Sequence, residues 1–174
     1  GVGKSTLLKL IVGILKPITG SIIKGEKTTI GYYAQEHEGL ELDKTIIENL
    51  SNLGKEEKEL RSLLGRFLFY GDDGFKKIKY LSPGERSRVA LAKLACMGAN
   101  FLILDEPTNH LDPRTQEMIA DVFREYKGTM LVVSHNISFT NNLNIDRMLY
   151  MPDGKISYYD KEVVKKIMEI EENN

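Results

Sequence analysis

Phe101-Leu102-Ile103-Leu104 is a short, unbroken apolar run that ends on two adjacent carboxylates, Asp105 and Glu106, followed by Pro107-Thr108-Asn109-His110-Leu111-Asp112. An apolar run without alternation reads as a buried strand of a parallel sheet. Such a strand needs helices on both of its faces, which confines the chain to an α/β architecture. Its carboxylates then emerge at the carboxyl end of the strand, where open α/β sheets place their ligands. Two acids there can hold a metal ion and draw a proton from water, a pairing that suits phosphate chemistry.

The first residues agree. Gly1-Val2-Gly3-Lys4-Ser5-Thr6 is the later part of a phosphate-binding loop, G-x-x-x-x-G-K-[ST]. Its glycines let the backbone curl so that N–H groups point at phosphate oxygens, and the helix that follows offers its positive end. Lys4 is expected to reach the β and γ phosphates, and Ser5 to place its hydroxyl on Mg²⁺. The sequence opens inside this element, after its first glycine.

Composition narrows the classes further. With 174 residues, 41% hydrophobic and 28% charged, the chain can bury one core and amounts to one domain. A net charge of −1 argues against a general nucleic-acid footprint. The apolar stretch 7–15 is broken by Lys9 and Gly13 and closed by Lys16-Pro17, too short for a bilayer span. Nothing in it resembles a signal peptide. A lone Cys96, read as a small core residue, suits a reducing, cytoplasmic setting.

Periodicity predicts helices over 4–15, 45–53, 55–69, 82–97 and 113–126, and strands over 28–35, 101–105 and 129–134. Segments 147–151 and 155–159 read as a hairpin around Pro152-Asp153-Gly154. The acidic tail 165–174 reads as a solvated helix. Lys76, Lys77 and Lys79 read as a solvated face, as do Arg86 and Arg88. Ser134 beside His135 makes no hydrolase triad, because no G-x-S-x-G elbow is present. His37, His110 and His135 have no zinc spacing with one another or with Cys96.

Leu81-Ser82-Pro83-Gly84-Glu85-Arg86 carries a capping box, with Ser at the N-cap, Pro at N1 and Glu at N3. In chain order there come a phosphate loop, a Gln at a strand end, Leu-Ser-x-Gly-Glu opening a helix, a carboxylate-ended strand, and Ser134-His135 after a further strand. This series resembles the ATP-binding cassette ATPases from Gly1 to about Tyr159. The resemblance implies a P-loop NTPase fold, a mostly parallel sheet with helices on both faces. A partial nucleotide-binding domain then covers 1–159, with a helical subdomain at about 38–97 carrying the signature, and 160–174 forms a C-terminal tail.

It also implies roles. Gly1, Gly3, Lys4, Ser5 and Thr6 match the phosphate loop, and Gln35 the glutamine that approaches Mg²⁺ and the attacking water. Asp105 matches the aspartate that supports Mg²⁺, Glu106 the catalytic base, and His135 the histidine that contacts the γ-phosphate. Ser82, Gly84 and Glu85 match the signature, which completes the ATP site of an opposite cassette; Pro83 stands where glycine is commoner and removes one N–H donor. Asp112 matches an interface aspartate and equally suits an N-cap for a helix opening at Pro113.

Asn109-His110 within Glu-Pro-Thr-Asn-His-Leu-Asp looks like the ABC-F group, tandem-cassette ATPases that act on the ribosome, and two segments, 31–37 and 64–73, look like the second cassette of bacterial members. Asn136 departs from the group's Ser-His-Asp. The expected function is ATP binding and hydrolysis, with ATP and Mg²⁺, head to tail with a second cassette and on the ribosome. The alternative is the motor of a membrane transporter, disfavoured by Asn109-His110. A DNA-repair ATPase of the long-coiled-coil type has no room for its helical hairpin between Gln35 and Ser82. The 174 residues taken alone are expected to bind ATP weakly and to hydrolyse almost none.

Overall fold

The computed structural model describes residues 3–34, 39–151 and 153–172. Three strands, β1 (Ile30–Tyr33), β2 (Phe101–Asp105) and β3 (Thr129–Val133), form a parallel sheet in that order. Phe101 aligns with Ile30 on one side and Thr129 on the other, and Asp105 aligns with Val133, so the carboxylate leaves the sheet level with its neighbour's end. The strand predicted over 101–105 is present as read. β1 is shorter than 28–35 at its start because the N–H of Thr29 turns to the side chain of Asn100 at 2.9 Å.

β2 is buried on both faces. Leu102 and Leu104 join the main core, while Ile103, on the opposite face, is buried outside that cluster. Leu8 is likewise buried outside it and belongs to α1 (Lys4–Val12), which packs on β2. Full burial of each such side chain contributes about 1.5–3 kcal/mol. α1 ends before residue 15 because Gly13 takes a left-handed φ of 84° and returns its N–H to Leu10. β3 is half-buried, and among the described residues it pairs with β2 alone.

Between β1 and β2 lie α2 (Ile46–Ser51), α3 (Glu57–Arg66), two 3-10 turns (Gly71–Phe75 and Ile78–Tyr80) and α4 (Pro83–Cys96). Ile46, Leu50, Leu60, Leu64, Phe67, Val89 and Leu91 from these elements share one core with Tyr33, Leu102 and Leu104 of the sheet. The helix predicted over 55–69 stops at Arg66, because Leu68 adopts φ 61°. There the N–H of Phe69 donates to Leu64 and that of Leu68 to Gly65, a Schellman ending with leucine in the glycine position. Arg88 pins this ending from α4, donating to the carbonyls of Phe67 and Leu68 at 3.0 and 3.1 Å and lying 4.6 Å from the Phe69 ring centroid.

The solvated face expected at Lys76, Lys77 and Lys79 is present, all three being exposed, but the same expectation for Arg86 and Arg88 needs correction. Arg88 and Arg86 tie loop carbonyls to α4, the latter through Ile78 and Lys79. Lys76 and Lys79 are paired with Asp73 and Asp43 at 2.7 and 2.8 Å. Cys96 is buried at the end of α4, which pushes its thiol up.

After β2 come α5 (Pro113–Arg124), then β3, α6 (Ile137–Asn142), the antiparallel hairpin β4 (Arg147–Tyr150) and β5 (Lys155–Tyr158), and α7 (Lys161–Glu172). α7 begins earlier than 165 because Asp160 accepts the N–H groups of Glu162 and Val163. The short α6 has no apolar period of its own and starts where Asn136 caps Phe139 at 2.9 Å. Among the described residues no helix is long and apolar enough to cross a membrane.

Candidate active site

The carboxyl ends of β2 and β3 meet at an open cleft of about 560 Å³, lined by Glu106, the 108–111 loop, Gln116 and residues 135–137. Asp105 ends β2 with only 3% of its surface exposed. Glu106 then leaves the strand at φ 51°, a left-handed backbone that a non-glycine residue seldom adopts. Its N–H still donates to Val133 at 2.9 Å, so the turn is anchored to β3 while the side chain swings toward the loop after that strand.

There the N–H of His135 donates to Glu106 Oε2 at 3.2 Å, and His135 Nε2 lies 3.4 Å from Oε1. The Glu106 side chain is 14% exposed and that of His135 is 59% exposed, so the acid is mostly covered while the imidazole projects outward. Burial pushes the Glu106 carboxyl above its ordinary range; the His135 N–H and ring and the Lys4 ammonium oppose this, and the Asp105 charge adds to it. Lys4 lies within electrostatic reach of Glu106 although the two are 102 residues apart in sequence.

At the first turn of α1, Gly3 holds the N-cap position at φ 91° and offers no side chain to claim the N–H groups behind it. That backbone suits an anion at the helix start. The donor set also suits Mg²⁺: a hydroxyl on Ser5 and a carboxylate on Asp105 are hard oxygen ligands, and this ion takes one or two protein oxygens beside phosphate oxygens and water. Gly1 and Gln35, expected at the same place, lie outside the described residues.

Ser82, Gly84 and Glu85 do not line this cleft. They open α4, where the N–H of Glu85 donates to Ser82 Oγ at 3.3 Å and Glu85 Oε2 accepts the Ser82 N–H at 2.8 Å. Those bonds hold the Glu85 carboxyl below its ordinary range. Pro83 sits at N1 and removes one first-turn donor. Gly84 backs onto the 108–111 loop: a Cβ there would stand 2.8 Å from the His110 carbonyl oxygen. Asp112 caps α5 through the N–H of Thr115 at 3.1 Å, so the N-cap reading of this residue is realised.

The ABC transporter family profile matches residues 1–109. The chain belongs to the ABC family. The cassette is 46% identical over 161 residues to the ATP-binding protein YdiF of Bacillus subtilis, covering 91% of this chain and 25% of that protein. It is 38% identical over 163 residues to ABC transporter F family member 5 of Arabidopsis thaliana, covering 91% and 23%. Among solved structures it resembles the dimeric post-hydrolysis state of the ATP-binding cassette MJ0796 with ADP and Pi (TM-score 0.73, 25% identity, 90% of this chain and 81% of that one). It also resembles the archaeal ribosome recycling factor aABCE1 in complex with the ribosomal stalk protein aP1 (TM-score 0.73, 25% identity, 88% and 31%). The chain spans about a quarter of the length of these curated relatives.

Sequence reading overlooked Gln116. It lies on α5 but turns into the cleft, where it bonds to both loops. Only its place four residues after the cap Asp112 was visible locally, and that says nothing of its partners.

Proposed function

We propose that this cassette binds ATP and hydrolyses it, with Glu106 as the base that takes a proton from the attacking water. The supporting observation is the Glu106 carboxylate itself, mostly covered, gripped by the N–H of His135 and within reach of the Lys4 ammonium. Burial raises its proton affinity toward what a base needs near neutral pH. The exposed His135 ring meets the γ-phosphate, Lys4 the β and γ oxygens, and Gly1, Gly3 and Thr6 line the phosphates with backbone N–H groups. Ser5, Asp105 and Gln35 would hold Mg²⁺, which would supply neutralisation of the phosphate charge.

In the whole protein this is the second of two cassettes closing head to tail, with the α4 start, Ser82, Gly84 and Glu85, completing the partner cassette's ATP site. The dimeric state of the related MJ0796 cassette supports that arrangement. ATP closes the pair, hydrolysis opens it, and the cycle governs residence on the ribosome in the cytoplasm. That assignment rests on Asn109-His110 and on the F-type relatives, and the likeness to a ribosome recycling factor agrees with it.

The test is sedimentation of the full-length protein carrying Glu106→Gln, and the matching change in its other cassette, through a sucrose cushion with ribosomes. ATP-dependent pelleting is expected. Failure to pellet, with ATPase activity intact in the unmodified protein, overturns the ribosomal assignment and favours a membrane partner.

A further inference from the structure

The two loops that bound the cleft are joined by a pair of amides. Asn136 Nδ2 donates to Gln116 Oε1 at 2.6 Å, and Gln116 Nε2 donates to the Leu111 carbonyl at 2.8 Å and more weakly to that of Thr108 at 3.4 Å. Each amide has one donating and one accepting end. Asn136 Oδ1 is committed to the N–H of Phe139 at 2.9 Å, so its amino group must face Gln116. Gln116 must turn its amino group to backbone carbonyls, so its oxygen must face Asn136. Backbone groups that cannot exchange roles therefore set the polarity of the whole chain of bonds.

We infer that Gln116 and Asn136 form an amide clamp that positions His135 on Glu106 by tying the loop after β3 to the 108–111 loop. The connections close a ring. The N–H of Asn109 donates to the Glu106 carbonyl at 3.2 Å, that of Leu111 to Thr108 at 3.2 Å, and Leu111 receives Gln116, which holds Asn136, the neighbour of His135. The N–H of His135 returns to Glu106. Both amides are half-buried, where such bonds are stronger and mismatched ends more costly than in water. The inference rests on the proposed roles of Glu106 and His135. Neither Gln116 nor Asn136 is required to touch the nucleotide.

The cap and the clamp can be separated. Asn136→Asp keeps the cap on α6, since either residue accepts the Phe139 N–H. It also sets a carboxylate oxygen against Gln116 Oε1. If the Gln116 amide rotates to donate instead, its oxygen meets the Leu111 carbonyl. Gln116→Lys alone fails in the opposite sense, leaving the Asn136 amino group against an ammonium. Together the two substitutions restore complementarity, because one ammonium can donate both to the new carboxylate and to Leu111.

Steady-state ATPase measurements on the full-length protein, with the other cassette silenced, decide it. Each single variant should lose about tenfold in kcat with KM for ATP within about twofold, and the double variant should recover to within about threefold of the unmodified protein. Singles that turn over normally, or a double variant no better than the singles, overturn the clamp. Glu106→Gln and His135→Ala run alongside as controls. If these two leave turnover unchanged, the site reading itself has failed; if they abolish it while the clamp singles do not, only the clamp has.

Discussion

Glu106 stands in a left-handed backbone that costs a non-glycine residue roughly 1–2 kcal/mol. The strain has a use: it turns the side chain out of line with β2 and onto the N–H of His135. Glu106→Gln keeps an acceptor for that N–H and removes the charge, so hydrolysis should fall by about 10²- to 10⁴-fold while nucleotide binding by equilibrium fluorescence stays intact. A variant that still turned over normally would remove Glu106 from the base role. Because burial raises its carboxyl pKa, folding favours the protonated form. The stability contribution of Glu106 is therefore full below the ordinary carboxylate pKa and is lost as pH rises through the raised value. Thermal melts at neutral pH should show Glu106→Gln more stable than the parent, and an equal or lower Tm would contradict the sign. Gly84 presents the reverse situation, a residue held by what lies beside it. A methyl group 2.8 Å from the His110 carbonyl must push a backbone that His110 already holds at φ 66°. Gly84→Ala should destabilise by about 1–3 kcal/mol in urea titration, despite alanine's better helix propensity.

At the level of elements, α4 is capped at its start and holds down the end of α3 farther along. Its start is a reciprocal cap between Ser82 and Glu85, and the bonds that make it hold the Glu85 carboxyl below its ordinary range. A depressed carboxyl stabilises the fold above the unfolded pKa and loses that contribution as pH falls through the folded value. Acid titration of the midpoint should thus be shallower in Glu85→Gln than in the parent, and an unchanged slope would rule the charge out. Farther along the helix, Arg88 closes the left-handed ending of α3 by donating to two carbonyls. Arg88→Met, which keeps the stem but not the donors, should cost about 1.5–3 kcal/mol in the same assay. The extension of α3 expected in the sequence failed here for a physical reason: leucine at position 68 carries no glycine-like stop signal, and the stop comes from a residue twenty positions away.

For the molecule as a whole, one continuous core runs from the sheet through α2, α3 and α4 to α5 and α6. Sheet and helical segments should therefore unfold together, and melts followed by tyrosine absorbance and by far-UV circular dichroism should coincide. Two separated transitions would mean that residues 38–97 fold as an independent unit. Much of this plan was legible along the chain. The strand ending at Asp105, the caps at Ser82 and Asp112, and the α1 start at Lys4 all follow from apolar runs and from side chains bonding within three or four residues. Those signals are local because backbone hydrogen bonds and caps close over one turn of chain. The turn of His135 onto the Glu106 carboxylate, the pinning of Leu68 by Arg88 and the bond between Gln116 and Asn136 join residues twenty or more positions apart. Each depends on which faces of strand and helix come together, and that is settled by packing of the common core, not by any period or motif in the residues themselves.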